Sequence, residues 1–466
     1  MSLPPGPRAP APINLARFAR RPVETLLRWH ERYGDVFTVR YAGFGTGVYV
    51  ADPGAIRDMF TGDQADLRAG EANSILEPVV GPQSVLVLDG PAHLRQRKLL
   101  LPPFQGAHVA AYREVIRDVA EREVAGWRSG ERIVLRERMR ALTFEVICHV
   151  VFGVTDERHV ARLRGALLPL IDASSTFLLP APLRADLGGF SPGGRFVRRR
   201  RAADALLFAE IERRRGQPDL HQRDDVLSLL LRARDEQGEP MSDAELRDEL
   251  FTLLAAGHET TATALAFAFD LLMRNPRAMA RLCEQLDEDA YVDATVKETL
   301  RLRPVIDGAE RTLTEPRTVA GWRLPAGMRV YPAALLTQLR ADLYPRPHEF
   351  RPERFFEGEA ESYTWIPFGG GIRRCIGAAL AQAEMAEVLR TIVPAVDLAL
   401  VRPRPDPIVL RGITMAPQFG VRVRVIGARR RGPEPETTGR STSSSGRRAR
   451  IDRSPLRGAR PTARAR

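Results

Sequence analysis

Residues 250–273, LFTLLAAGHETTATALAFAFDLLM, are apolar almost throughout, yet they include His258, Glu259 and Asp270. Ionisable groups at bilayer depth are costly, so the segment reads as a long helix buried in protein, not as a membrane span. Ser242-Asp243-Ala244-Glu245 ahead of it has the pattern of a capping box, and Asn275-Pro276 ends it. A helix that is apolar nearly all round has to be enclosed by other elements, which commits most of the chain to layers packed against it.

The remaining pattern supplies those layers. An amphipathic helix is expected over 23–33, followed by strands over 36–41 and 47–51 with a glycine-rich turn between them. Asp89-Gly90-Pro91 marks a helix start leading into 93–101. Helical periodicity then runs from 110 to about 231, broken at 180–194 by proline, glycine and apolar residues with the composition of a surface loop. A helix over 293–303 stops at Pro304, and short strands are expected near 318–322, near 328–331 and on Val421, Val423 and Val425. The fold class is mainly α with small β-sheets near both ends.

The chain has 466 residues, 44% of them hydrophobic, and a formal net charge of +12. From Ala428 onward there are 12 arginines against Glu434, Glu436 and Asp452, so +9 sits in the tail and only +3 in the body. A nucleic-acid partner therefore finds little support in the body. Residues 428–466, rich in Arg, Ser and Pro, cannot offset their ordering entropy and are expected to be disordered, leaving 1–427 as one domain. The proline-rich start has no apolar stretch of the kind a signal peptide or anchor needs, which points to the cytoplasm. Cys148, Cys283 and Cys375 are too few and too scattered for a disulfide framework, and any one of them is free to be a ligand.

Phe368-Gly-Gly-Gly-Ile-Arg-Arg-Cys375-Ile-Gly377, followed by a good helix over 378–389, carries the strongest chemical signal. Three glycines let backbone fold closely over a flat ligand, and a cysteine just ahead of a helix N-terminus has its thiolate stabilised by free N–H groups. A lone cysteine in a glycine-rich turn is more often structural. Here the spacing of Phe368, Gly371, Arg373, Cys375 and Gly377 closely resembles the haem-binding loop of the cytochrome P450 family, whose cysteine thiolate ligates haem iron.

The resemblance covers roughly residues 3–427 and implies that family's fold, a single haem-binding domain, with haem b as cofactor and Cys375 as the metal ligand. Ala256-Gly257-His258-Glu259-Thr260-Thr261 resembles the family's oxygen-activation motif. Gly257 spares a side chain where the helix approaches haem, the Thr260 hydroxyl bonds back to the Ala256 carbonyl, and the pair Glu259–Thr260 relays protons. Glu298-Thr-Leu-Arg301 with Arg354 matches a buried triad with a structural role. The resemblance sets His93, Arg97, Arg311 and Arg373 against the haem propionates. His258 and Glu259 do not share a helix face, and no His-Glu-x-x-His spacing exists for a non-haem metal.

Substrate-facing segments implied by the family are 74–87, 176–187, 251–256, 305–309 and 413–416, dominated by apolar residues, so a small hydrophobic substrate is expected. No flavin or iron–sulfur segment follows the haem region. Electrons for O2 reduction are expected from a ferredoxin and its reductase, docking near Arg95, Lys98 and Arg374. Two departures stand out: the stretch between Met273 and Glu298 is short for the family's helices, and the basic tail lies outside its pattern. Two other readings are a haem-thiolate enzyme driven by peroxide, against which Glu259–Thr260 argues, and a haem-based sensor whose tail touches nucleic acid or anionic lipid.

Overall fold

The apolar segment forms one helix, Asp243–Arg274, and the chain is arranged around it. Its capping box is complete: the Ser242 hydroxyl accepts from the Glu245 N–H, and the Glu245 carboxylate accepts from the Ser242 N–H at 2.7 Å. The structure is a computed structural model that describes residues 2–63, 65–173, 185–188, 190–356 and 363–429.

In chain order, helices α1 (Ala11–Arg20) and α2 (Pro22–Tyr33) lead into strands β1 (Val36–Tyr41) and β2 (Gly45–Val50), helix α3 (Pro53–Thr61) and strand β3 (Leu67–Arg68). Next come α4 (Gly90–Leu100), α5 (Gly106–Ala125), β4 (Arg132–Val134), α6 (Leu135–Phe152), α7 (Glu157–Ala173) and α8 (Pro192–Arg215). The long helix is α9, followed by α10 (Pro276–Glu284) and α11 (Asp289–Leu302). Strands β5 (Arg311–Leu313), β6 (Arg317–Val319), β7 (Trp322–Leu324) and β8 (Arg329–Pro332) precede α12 (Ala378–Ala395). The described chain closes with β9 (Val396–Leu400), β10 (Ile408–Arg411), β11 (Thr414–Pro417) and β12 (Arg422–Ala428), short helical turns filling several of the links.

Helix α9 packs along α6, and α12 lies against α5, α11 and α9, so the helix after Cys375 is held in the same core as the Glu259–Thr260 helix. A five-stranded sheet in the order β1-β2-β8-β5-β3 carries a second, smaller core of Val48, Val50, Ile56, Phe60 and Val330. Its strands pair antiparallel except β2 with β8, which run parallel with Tyr49 opposite Tyr331. A three-stranded sheet β4-β12-β9 and two hairpins complete the strands.

Several sequence expectations change in detail. The helical run expected from 110 onward starts at Gly106 and is interrupted by β4, which pairs with β12; three residues are too few to print an alternation. The loop expected to end at 194 ends earlier, because Ser191 caps α8 by accepting from the Gly194 N–H at 2.9 Å, with Pro192 at its first turn. Residues 174–184 and 189 of that region lie outside the described residues. The strand expected near 318–322 is a hairpin, β6 and β7 turning at Ala320 and Gly321 with φ of 46° and 82°. Ala428 and Arg429, assigned to the tail by composition, belong to the folded unit: Ala428 ends β12, and Arg429 donates to Asp397 at 2.6 Å. From 430 the tail lies outside the described residues. Among those described, no helix is long and apolar enough to cross a membrane.

Candidate functional site

The loop before α12 is closed by the Cys375 N–H donating to the Phe368 carbonyl at 3.0 Å, and Gly377 caps the helix that follows. Gly369 and Gly371 take φ of 66° and 62°, a region costly for any residue with a Cβ. The crowding at Gly370 and Gly371 comes from α3. A Cβ on Gly370 would lie 2.5 Å from the Phe60 ring, and one on Gly371 would overlap the Phe60 carbonyl. These glycines therefore let the cysteine loop pack directly on α3. Cys375 is accessible, while Cys148 is buried and Cys283 lies against Arg429 at 2.6 Å. Although its surface is open, Cys375 sits deep among protein atoms, and the resulting desolvation pushes its thiol up, opposed by a bond from the Gly377 N–H and by the charges of Arg97 and Arg374.

Three guanidinium groups and one imidazole from three elements gather beside this loop. His93 and Arg97 come from α4, Arg311 from β5 and Arg373 from the cysteine loop. They feel one another: burial, then Arg373, Arg97 and Arg311, pull the His93 imidazole down to about 3. Burial and this mutual repulsion also bring Arg311 and Arg373 down to about 10. The anion among them is Asp89, which accepts from Arg373 at 2.5 Å while its two oxygens also take the Gly70 and Glu71 N–H groups at 2.8 Å. The Arg97 guanidinium has no hydrogen bond or ion pair to a described residue, and the buried Arg311 Nε has no partner.

On α9, Thr260 donates to the Ala256 carbonyl at 2.6 Å, the back-bond expected from sequence. Ala256 is exposed and Thr260 half-buried in mid-helix, although Leu254 and His258 are fully buried, so this face borders open space inside the fold. At Gly257 a Cβ would meet the Ile147 side chain of α6 at 3.0 Å, so this glycine permits close packing of α9 on α6. His258 is a core histidine, bonded through Nδ1 to the Leu254 carbonyl at 3.0 Å, edge-on to Phe144, and shifted down by burial.

Glu259 is gripped by α6. Its Oε1 pairs with Arg136 and its Oε2 with Arg140 at 2.8 Å, and Arg140 reaches on to Asp172 at 2.7 Å. Sequence reasoning missed both arginines. They lie more than a hundred residues upstream in a helix that reads as an ordinary charged face, and nothing local links them to Glu259.

Glu298 and Arg301 are fully buried on α11. Glu298 accepts from Arg301 at 2.6 and 2.9 Å, from Arg354 Nε at 2.9 Å and from the Arg351 N–H at 2.9 Å. Arg301 also donates to the carbonyls of Gln338 and Pro347, each at 2.8 Å.

Residues 4–418 match the Cytochrome P450 family as a whole. The chain is 41% identical over 439 residues to a Mycobacterium tuberculosis protein named cytochrome P450 135B1, covering 92% of each. It is 38% identical over 434 residues to cytochrome P450 135A1 of the same species, covering 92% of this chain and 96% of that one. Among solved structures it resembles a cyanobacterial CYP120A1 with retinoic acid bound, at a TM-score of 0.79 and 26% identity over 91% of this chain and 99% of that one. It shares the fold of a P450DA haem domain at a TM-score of 0.81 and 22% identity, covering 92% and 98%.

The chain belongs to the cytochrome P450 family. It is a monooxygenase of that family, whose members bind protohaem through a cysteine thiolate. The residues present suit that cofactor. An accessible cysteine lies in the motif's position, and the neighbouring cluster holds more buried positive charge than Asp89 can balance, as a group with two carboxylates requires. The three residues expected at a docking face differ in their surroundings. Arg95 is committed to Asp235 and Glu245, each at 2.6 Å, and Lys98 to Glu236 at 2.6 Å, whereas Arg374 is exposed. The short stretch after α9 accommodates α10 and leads directly into α11.

Proposed function

We propose that the Cys375 thiolate would hold the iron of a b-type haem and that this P450 inserts one oxygen atom from O2 into a small nonpolar substrate, with electrons from a ferredoxin and its reductase. The observation that carries the reading is the accessible Cys375 beside three arginines and a histidine with too few anions to balance them. Held by a thiolate, the haem supplies O–O bond cleavage and oxygen insertion. His93, Arg97, Arg311 and Arg373 bind its two propionates by charge-assisted bonds, and Phe368 and Gly377 shape the turn around the sulfur. Thr260 holds a proton at Oγ on this face, and Glu259, its carboxylate steadied by Arg136 and Arg140, takes up a proton from solvent and so replaces the one that Thr260 gives up. Glu298, Arg301 and Arg354 keep the haem pocket's scaffold folded.

The substrate class is supported by segments 74–87, 251–256, 305–309 and 413–416, two of which are tied together where the Met415 N–H donates to the Val305 carbonyl at 2.7 Å. Residues 176–184 of the remaining segment lie outside the described residues. A solved relative holds retinoic acid, itself a largely apolar molecule. The exposed Arg374 suits an acidic electron donor, the protein works in the cytoplasm, and residues 430–466 stand outside the catalytic unit.

The decisive measurement is the difference spectrum of the reduced protein with carbon monoxide. A thiolate-ligated spectrum that Cys375→Ser abolishes is expected. Protein that stays colourless when haem is supplied, or a Cys375→Ser variant with an unchanged spectrum, refutes the assignment. Spin-state titration with nonpolar and charged ligands tests the substrate class, which fails if charged metabolites bind in preference.

A further inference from the structure

The loop between Gly81 and Leu88 is held to α9 by a row of side chains that the proposed chemistry does not use. Asp248 Oδ2 accepts the Gln83 N–H at 2.8 Å, and Glu249 Oε1 accepts the Val85 N–H at 2.7 Å. Between them the Ser84 and Thr252 hydroxyls meet at 2.7 Å. Thr252 gives its own proton to the Asp248 carbonyl at 2.7 Å, so Ser84 is the donor in that pair. Ser84 and Glu249 are fully buried, and Thr252 and Asp248 nearly so. The approach is tight: at Gly81, with φ of 94°, a Cβ would overlap the Asp248 carboxylate.

The same loop is gripped from the opposite side. Arg373 donates to the Val85 carbonyl at 3.2 Å and to the Leu88 carbonyl at 2.6 Å, and Asn73 donates to the Leu86 carbonyl at 3.2 Å. Val85 is thus fixed at both ends of its backbone, its N–H by the helix that carries Thr260 and its carbonyl by the loop that carries Cys375. Along α9, Glu249 and Thr260 are about 16 Å apart on one rigid rod, at 1.5 Å per residue.

We propose that Glu249, with Asp248 and Thr252, is a positioning residue for substrate selection, fixing loop 81–88 in register with the oxygen-handling face of α9 and with the cysteine loop. The proposal rests on the reading above that 74–87 faces the substrate. A wall referenced to both halves of the reacting centre discriminates ligand shape, because a bound molecule cannot push it aside without breaking buried hydrogen bonds. Burial, with Asp248 and Glu245 nearby, pushes the Glu249 carboxyl up. Its second oxygen has no partner among the described residues, so the clamp uses one acceptor oxygen, and glutamine can supply the same atom.

The test uses full-length, haem-loaded protein carrying Glu249→Gln or Glu249→Leu, with two readouts. The first is amide hydrogen exchange over 81–88. The second is the set of dissociation constants for a graded series of nonpolar ligands, read by spin-state shift. Glu249→Leu is expected to speed exchange at Val85 and to erode discrimination across the series, each by about tenfold, because a buried N–H loses its acceptor. Its carbon monoxide spectrum should match the wild type, and Glu249→Gln should restore both readouts. Wild-type exchange in Glu249→Leu overturns the clamp, and faster exchange with unchanged discrimination overturns its role in selection. A glutamine variant that behaves like leucine overturns the single acceptor oxygen. If Glu249→Leu fails to fold, Thr252→Val removes the Ser84 bond and the back-bond to the Asp248 carbonyl while leaving the Glu249 acceptor in place, and should show the same two effects at smaller size. Wild-type protein that binds no nonpolar ligand refutes the substrate class alone, and exchange over 81–88 still decides the clamp.

Discussion

Replacing Glu298 by glutamine would remove a single charge from a place water does not reach. Arg301, fully buried, would keep its guanidinium and lose its counter-charge, and the Arg351 N–H and Arg354 Nε would depend on a weaker acceptor. Stranding a buried charge costs about 3–5 kcal/mol. An unfolding entropy of about 2.1 cal/mol/K per residue over roughly 430 residues makes each kcal/mol worth about 1 °C, so the midpoint should fall by about 3–5 °C. Arg301→Met should be worse. It strips Glu298 of two bonds and also orphans the carbonyls of Gln338 and Pro347, each buried acceptor adding about 1–3 kcal/mol. Thermal unfolding followed by circular dichroism, with the haem absorbance recorded in parallel, gives the order. A Glu298→Gln shift below about 1 °C, or an Arg301→Met variant milder than it, refutes the account of a charge pair held for the scaffold.

Other consequences follow from the site. Thr260→Val loses one hydrogen bond worth about 1 kcal/mol, so melting should barely move while product formed per O2 consumed falls by about tenfold; wild-type coupling would exclude Thr260 from proton delivery. Arg136→Gln with Arg140→Gln releases Glu259 and should lower the product formed per O2 consumed while the reduced carbon monoxide spectrum holds; wild-type coupling removes them as positioning residues. His93 sits near 3 in the fold against 6.5 when unfolded, so the unfolded chain takes up the extra proton in that window. Haem-free protein should therefore lose stability as pH falls from 6.5 towards 3, and His93→Gln should lose less; equal acid sensitivity by urea unfolding counts against the cluster. Deleting residues 430–466 should leave the spectrum and turnover intact, and loss of either would tie the tail to catalysis.

What was legible in the sequence is what local chemistry writes into consecutive residues. The cap at Ser242, the back-bond from Thr260 to Ala256 and the Glu298–Arg301 pair each span three or four positions, the reach of one helical turn, and all form as read. Arg354 was found through the family resemblance, since the two lie 56 positions apart and nothing between carries a physical hint that it meets Glu298. Strand β4 escaped notice because three residues print no alternation and its partner β12 lies near the other end of the fold.

The glycines make a subtler point about what a motif reveals. The motifs singled out Gly257, Gly370 and Gly371 for their closeness to a ligand, and the fold adds a second demand on each. In the structure their missing side chains make room for Ile147 and Phe60, residues with no place in either motif. A sequence shows that a Cβ is absent but not which atom would have struck it, because that atom arrives from another element. The same holds for Glu259, whose acid was visible and whose two arginine partners were not, and for Glu249, which reads as one more charge near a helix start until the fold sets it against the Val85 N–H. In each case the side chain is set by sequence and its role by the element that crosses it. Variants at the crossing residues, Phe60, Ile147, Arg136 and Arg140, should therefore disturb the site as surely as variants in the motifs themselves.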